Sequence, residues 1–130
     1  MAIQPTGDQI ARLAAHRSAE PVIMLNLLRF KPDGGREAYD RYAEGVGPCL
    51  DKVGASVLWY GRADATVIGD DDADHWDAVI LVRYPSRQAF LDMVSSPDYQ
   101  EIGDRRTEAL TDSRLIACTE LFRGSGPPGG

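Results

Sequence analysis

Two apolar runs, Val22 to Phe30 and Trp76 to Tyr84, dominate the pattern of hydrophobic and polar positions along the chain. Each is followed by a segment with helical spacing and then by a further strand-like segment. A strand–helix–strand unit made twice predicts an α+β fold, a split βαβ with an antiparallel four-stranded sheet and helices on one face only. After the first run, Lys31-Pro-Asp-Gly-Gly35 reads as a turn in which Asp33 or Gly34 caps a helix. Tyr39, Tyr42, Val46, Leu50 and Val53 form the apolar stripe of that helix. Pro48 lacks an N–H and clashes with the carbonyl of Glu44, which predicts a kink or break near Gly47. Gly54 stops the helix. The second strand runs from Ala55 to Arg62, and Thr66 to Ile68 would continue it as a hairpin arm.

The second half repeats the theme. Ser86 caps a helix whose buried face is Phe90, Leu91 and Val94, and Ser96-Pro97 restarts a helix with Tyr99 and Ile102 inward, running to Leu110. The last strand is Arg114 to Phe122. Upstream, Thr6 and Gln9 have capping-box spacing, and Ile10, Leu13 and Ala14 make a short amphipathic helix to about Arg17. The chain thus divides into an N-terminal helical extension (1–20), one domain (21–123) and a Gly/Pro tail (124–130) expected to be disordered.

Both faces of the central strands are apolar. Met24, Leu28 and Phe30 alternate with Ile23, Leu25 and Leu27, while Ala78, Ile80 and Val82 alternate with Val79 and Leu81. Helices on one side would leave the other face greasy and wet, at a cost of about 25 cal/mol per Å². A homodimer packed sheet to sheet is the economical answer; an N-terminal helix folded across that face is the alternative.

Composition narrows the partners. Fourteen basic against twenty acidic residues give a charge of −6, which argues against nucleic acid or an anionic membrane. Cys49 and Cys118 have neither disulfide-scaffold nor metal spacing and read as free thiols. No signal-peptide pattern and no run near ~18 apolar residues is present, so a soluble, cytoplasmic protein is expected.

The stretch Trp76-Asp-Ala-Val-Ile-Leu-Val-Arg-Tyr-Pro-Ser-Arg-Gln-Ala-Phe90 with Ser96-Pro-Asp-Tyr-Gln100 resembles the bacterial family known as DUF1330. Glu37-Ala-Tyr-Asp-Arg-Tyr42, Pro48 and Gly54 look similar too, and the likeness spans roughly Pro21 to Phe122. That resemblance implies a ferredoxin-like fold of the dimeric α/β-barrel kind, with a cavity between sheet and helices or inside the barrel. Related barrels include cofactor-free monooxygenases, isomerases and cyclases as well as plain ligand-binding proteins, and the fold does not choose among them.

Candidate chemistry lies in a few residues. Asn26 is a carboxamide in an apolar run: it would hold a carbonyl or enolate oxygen, or bridge backbone groups. Tyr60 and Arg62 share a face with Leu58, opposite Trp59, and would orient an enolic or anionic ligand; the bland reading is a rim Arg and a core-edge Tyr. Arg83 shares a face with Asp77, Val79 and Leu81, so an Arg and an Asp flank an apolar centre or pair with a neighbouring strand. His75, beside an acidic turn, is the best placed general base; His16 reads as a surface residue. The expected enzyme is cofactor-independent and metal-free. It acts on a small apolar carbonyl compound, with Asn26, Tyr60, Arg83 and His75 catalytic and Trp59, Arg62 and Asp77 contacting substrate. The competing reading is a non-catalytic small-molecule-binding dimer.

Overall fold

A computed structural model of the chain describes residues 2–15 and 19–124. Its elements run α1 (Gly7–Ala15), β1 (Val22–Phe30), α2 (Gly35–Lys52), β2 (Ser56–Arg62), β3 (Ala78–Tyr84), α3 (Arg87–Ser95), α4 (Pro97–Ala109) and β4 (Leu110–Cys118). The strands form one sheet in the order β2-β3-β1-β4, with every neighbouring pair antiparallel. The two apolar runs are the two central strands, which is why both of their faces had to be greasy.

Local chemistry sets the boundaries. Thr6 and Gln9 form the reciprocal capping box, with Gln9 N–H donating to Thr6 Oγ1 at 3.1 Å and Thr6 N–H to Gln9 Oε1 at 2.8 Å. Ser86 accepts from Ala89 N–H at 3.1 Å, and Ser96 from Tyr99 N–H at 3.2 Å with Pro97 opening α4. Gly34, at φ 76°, takes the left-handed cap of α2, and Gly54, at φ 74°, ends it.

One face of the sheet carries α2, α3 and α4. Val22, Met24, Leu28, Ala78, Ile80, Val82 and Tyr84 point there and are buried, with Tyr39, Tyr42, Val46, Leu50, Phe90 and Met93 packed on them. Helix α1 packs on α3, so it does not cover the other face as the alternative reading would have it. That second face presents Ile23, Leu25, Leu27, Val79, Leu81, Trp59 and Ile116, with no helix or further strand over it among the described residues. The segment before α1 straps α4 and the β4 edge: Ala2 N–H donates to Asp112 Oδ1 at 2.7 Å, and Ser113 N–H to Ala2 O at 2.6 Å.

Several expectations are corrected. Pro48 sits inside a single continuous helix. One lost hydrogen bond does not break it, because the tyrosine and leucine stripe is fixed by packing against α4 and β1. Thr66 to Ile68 is not a strand arm; it belongs to the connector 63–77, where Val67 and Ile68 are 92% and 95% exposed. The third strand begins at Ala78 rather than Trp76, and β4 occupies Leu110–Cys118, four residues upstream of the expected Arg114–Phe122. Leu110 is wholly buried and paired to Phe30, so tertiary packing takes it from the helical pattern. The expected helical turn at Arg17, His16 itself and the tail beyond Gly124 lie outside the described residues.

Candidate functional site

The connector from β2 to β3 folds back over the second, helix-free face of the sheet and builds a cleft of about 280 Å³. Leu27 and Val79 form its sheet floor, and Ala63, Ala65, Val67 and Ile68 form its apolar rim. The polar wall is Thr66, Asp74 and His75, closed by the Trp76 indole. The loop holds its own shape. Thr66 Oγ1 donates to Asp74 O at 2.9 Å, Asp70 N–H to Asp74 Oδ2 at 2.7 Å, and Asp70 Oδ1 accepts from the N–H of Asp72 and Ala73 at 2.9 and 2.8 Å. Those two backbone donors, Ala73 first, hold the Asp70 carboxyl below the usual range.

Arg29 ties this loop to the sheet. Its Nε and Nη2 donate to His75 O at 2.8 and 2.5 Å, and Nη2 also reaches Asp72 O and Ala73 O at 3.3 Å. The guanidiniums of Arg29 and Arg114 lie 5.1 and 5.2 Å from the Trp76 ring centroid. Asp112 anchors both, at 3.9 Å from Arg29 Nη1 and 2.7 Å from Arg114 Nη1. The indole wall of the cleft is therefore clamped.

His75 and Asp77 come together at the cleft. His75 Nε2 stands 3.7 Å from Asp77 Oδ1, while Asp77 Oδ2 accepts the Phe30 N–H at 2.8 Å. That backbone bond aims the carboxylate at the imidazole, and His75 keeps a largely exposed side chain. Asp77 thus serves a strand end and a histidine together, and does not pair with Arg83.

The other candidates are dispersed. Asn26 and Tyr60 both face the helices, through their common neighbour Ile80 in the register. The Asn26 amide nitrogen donates to Met24 O and Ile80 O at 3.3 Å, so it bridges backbone groups of the sheet. Tyr60 is half-exposed at the β2 edge; burial and then the Asp40 carboxylate raise its pKa against the Arg36 charge. Arg62 is exposed and paired with Asp64 at 2.7 Å. Trp59 and Arg83 lie on the helix-free face with His75, but Arg83 is at the far end of β3, paired in register with Ile23 and Ser56. One chain brings His75, Asp77 and the cleft together and leaves Arg83 apart.

A β-bulge makes this sorting. The register slips between Val57 and Trp59, leaving Leu58 unmatched, so Val57 joins Tyr60 on the helical side while Ser56 and Trp59 face away. The core phenols stay protonated at neutral pH. Burial pushes Tyr39 up to about 12 and raises Tyr42 and Tyr84 further; Tyr42 and Tyr99 share a 3.1 Å hydroxyl contact. Among the described residues no cluster of three or more His, Cys, Asp or Glu could hold a metal ion, and no helix is long and apolar enough to cross a membrane.

The cleft itself was not foreseen from sequence. Its one available signal was the length of the 63–77 connector, well beyond the roughly 2–5 residues of a hairpin loop.

Residues 34–119 match the model of a domain of unknown function, DUF1330. The chain belongs to that family. The match omits β1, although β1 completes the sheet. A protein of unknown function from Rhodopseudomonas palustris, solved as a structural genomics target, is 38% identical. The likeness covers 93% of this chain and 98% of that one, with a TM-score of 0.86. More distant folds include a hydroxynitrile lyase from Passiflora edulis (18% identity, 82% of this chain, 100% of that one, TM-score 0.57). Another is a protein of unknown function from Jannaschia sp. CCS1, described as dimeric and ferredoxin-like (8%, 77%, 99%, TM-score 0.58). These last two likenesses concern the fold alone. No curated protein matched the chain.

Proposed function

We propose that this DUF1330 protein is a homodimer, paired through the helix-free sheet face, that binds a small, apolar carbonyl compound in the His75 cleft and moves a proton without a cofactor. The observation that carries the reading is His75, backed by Asp77 at 3.7 Å and standing with Thr66 and Asp74 on the polar wall of a cleft of about 280 Å³ whose floor and rim are apolar. That volume is near the lower end of small-molecule pockets, and it suits one ring or a short chain. With Nε2 turned toward Asp77, His75 Nδ1 is the nitrogen left to take a proton from the carbon next to a carbonyl. Asp77 then stabilises the imidazolium, and the proton returns to carbon or oxygen of the enolate. This is isomerase- or cyclase-type chemistry and needs no redox partner. Asn26 enters as a structural bridge rather than an oxygen-binding group, because its amide N–H bonds serve the sheet.

The dimer follows from the apolar face. Ile23, Leu25, Leu27, Val79, Leu81, Trp59 and Ile116 span all four strands, and α1 is engaged elsewhere. Four strands at ~4.8 Å and seven residues at ~3.3 Å outline several hundred Å² of flat surface.

The test is hydrogen–deuterium exchange at the α-carbon of acetophenone in D₂O, followed by NMR with wild-type protein and His75→Ala. Exchange above buffer that disappears in the variant is the expected result. Acetophenone-induced thermal stabilisation without exchange would favour the non-catalytic binding reading, and neither effect would remove the cleft from consideration.

A further inference from the structure

We infer that the cleft is completed in trans: two copies pair their helix-free faces with β3 running antiparallel to the partner's β3, so that Arg83 of the partner subunit arrives at the mouth of the His75 cleft. This rests on the dimeric reading above and adds to it an axis and a residue.

The argument begins with a displaced charge. Arg83 stands on the face to be covered, flanked in register by Ile23 and Ser56, and makes no ion pair within its own chain among the described residues. A guanidinium buried unpaired in an apolar interface is costly. The other end of β3 carries the opposite net sign: Asp77 at the strand entrance, Asp70, Asp71, Asp72 and Asp74 in the connector and Asp112 on β4 outnumber Arg29 and Arg114 there. Asp77 and Arg83 are separated by six strand residues, about 20 Å at ~3.3 Å per residue. They cannot meet within one subunit.

A closed dimer has a twofold axis, and face-to-face sheets put that axis between the layers. An axis parallel to the strands stacks like ends. The two Arg83 side chains then crowd together at one end of the interface and the two acidic connectors at the other, a juxtaposition that interfaces avoid. An axis across the strands reverses the partner. Each β3 then lies over the partner's β3, and each Arg83 faces the partner's Asp74–Asp77 stretch. Both charges are compensated twice over by symmetry.

The same operation changes the cleft. Its mouth opens on the covered face, and the exposed Val67 and Ile68 rim has no apolar neighbour of its own to meet. The second copy closes that rim. The partner's Arg83 brings a fixed cation beside His75, where a carbonyl oxygen takes negative charge as the α-proton leaves. An Arg and a His at opposite ends of one chain become neighbours across two.

The test uses Arg83→Cys with Asp74→Cys in a Cys118→Ser background, treated with a short bismaleimide. A crosslink within one chain would leave the band at monomer size, so only a link between subunits gives a covalent dimer, and Cys49 is buried. The double variant should give a covalent dimer on a denaturing gel while neither single variant does. Crosslinking by Arg83→Cys alone would reveal the parallel axis and overturn the proposal. So would a double variant that stays uncrosslinked, or a single-chain particle by light scattering. These outcomes do not depend on turnover, so they are separable from failure of the proton-transfer reading. Where exchange is seen, mixing the Arg83→Ala and His75→Ala proteins should restore it to roughly a quarter of wild type. Half of randomly mixed dimers are hybrids, each with one intact site; no recovery overturns the shared site.

Discussion

The Trp59 indole occupies the space above Gly61 that a β-carbon would need, and it does so on the sheet face that no helix covers. Glycine normally weakens a strand interior, by ~0.5–1 kcal/mol relative to alanine. Here it lets a large aromatic side chain lie along the sheet instead of standing off it, which keeps the face level enough for another sheet to approach.

Two opposed effects follow for Gly61→Ala. The backbone tolerates alanine, since the positive-φ glycines are Gly34, Gly54 and Gly69 and not this one, so the subunit should keep its stability to within about 1 kcal/mol. The indole must swing away. Self-association should weaken by roughly tenfold, about 1.4 kcal/mol, with a shift in tryptophan emission. Sedimentation over a dilution series, beside a urea melt, checks both halves. An unchanged dimer constant with a displaced tryptophan would show that Trp59 takes no part in the interface.

How far the sequence carries the fold is visible in these same residues. The caps at Thr6, Ser86 and Ser96 were readable because each is settled within three or four residues. The two faces of β1 and β3 were readable because strict alternation survives along both strands. Trp59 lies opposite Tyr60 as strand alternation predicts, but Val57 takes the place beside Tyr60 that alternation gives to Leu58, because a one-residue bulge at Leu58 has no compositional mark. The cleft was hidden for a related reason: Val67 and Ile68 have strand composition, and only the tertiary closure of the connector decides that they form a rim. His75 and Asp77 were each singled out, yet their partnership depends on the Phe30 N–H, which a different strand supplies.

A pH effect is expected from Asp112. Burial works to raise its pKa, but the Ala2 N–H at 2.7 Å, Arg114 at 2.7 Å and the Ser113 N–H at 2.9 Å outweigh it and hold the carboxyl below its ordinary value. A carboxylate with a depressed folded-state pKa contributes stability above its unfolded value, near 3.9, and loses it as pH falls through the folded value. The window therefore lies below about pH 4. Asp112→Asn should cost roughly 1–3 kcal/mol at pH 7, by loss of charge-assisted bonds to Arg114 and the N-terminal strap. The gap to wild type should narrow as both are unfolded in urea at successively lower pH down to 3. Trp76 fluorescence should also change, since Asp112 holds both guanidiniums that lie against the indole. A constant gap between pH 7 and 3 would mean that the carboxylate's charge does not hold the strap.

Arg87 supplies the opposite sign of effect. It opens α3 only 9% exposed, and its Nη1 is buried with no hydrogen-bond partner among the described residues. Its aliphatic stem packs, while Nη1 is desolvated with no acid paired to it among the described residues, so the head opposes folding even as the stem favours it. Methionine keeps most of the stem volume and discards the charge. Arg87→Met should raise the unfolding free energy by about 1–2 kcal/mol, whereas Arg87→Ala, which loses the stem as well, should be neutral or lower it. Urea unfolding of the three proteins at pH 7, at one protein concentration so that self-association cancels, separates the two contributions. A methionine variant less stable than wild type would mean that the guanidinium is satisfied in solution, with its partner supplied by water or by the second subunit.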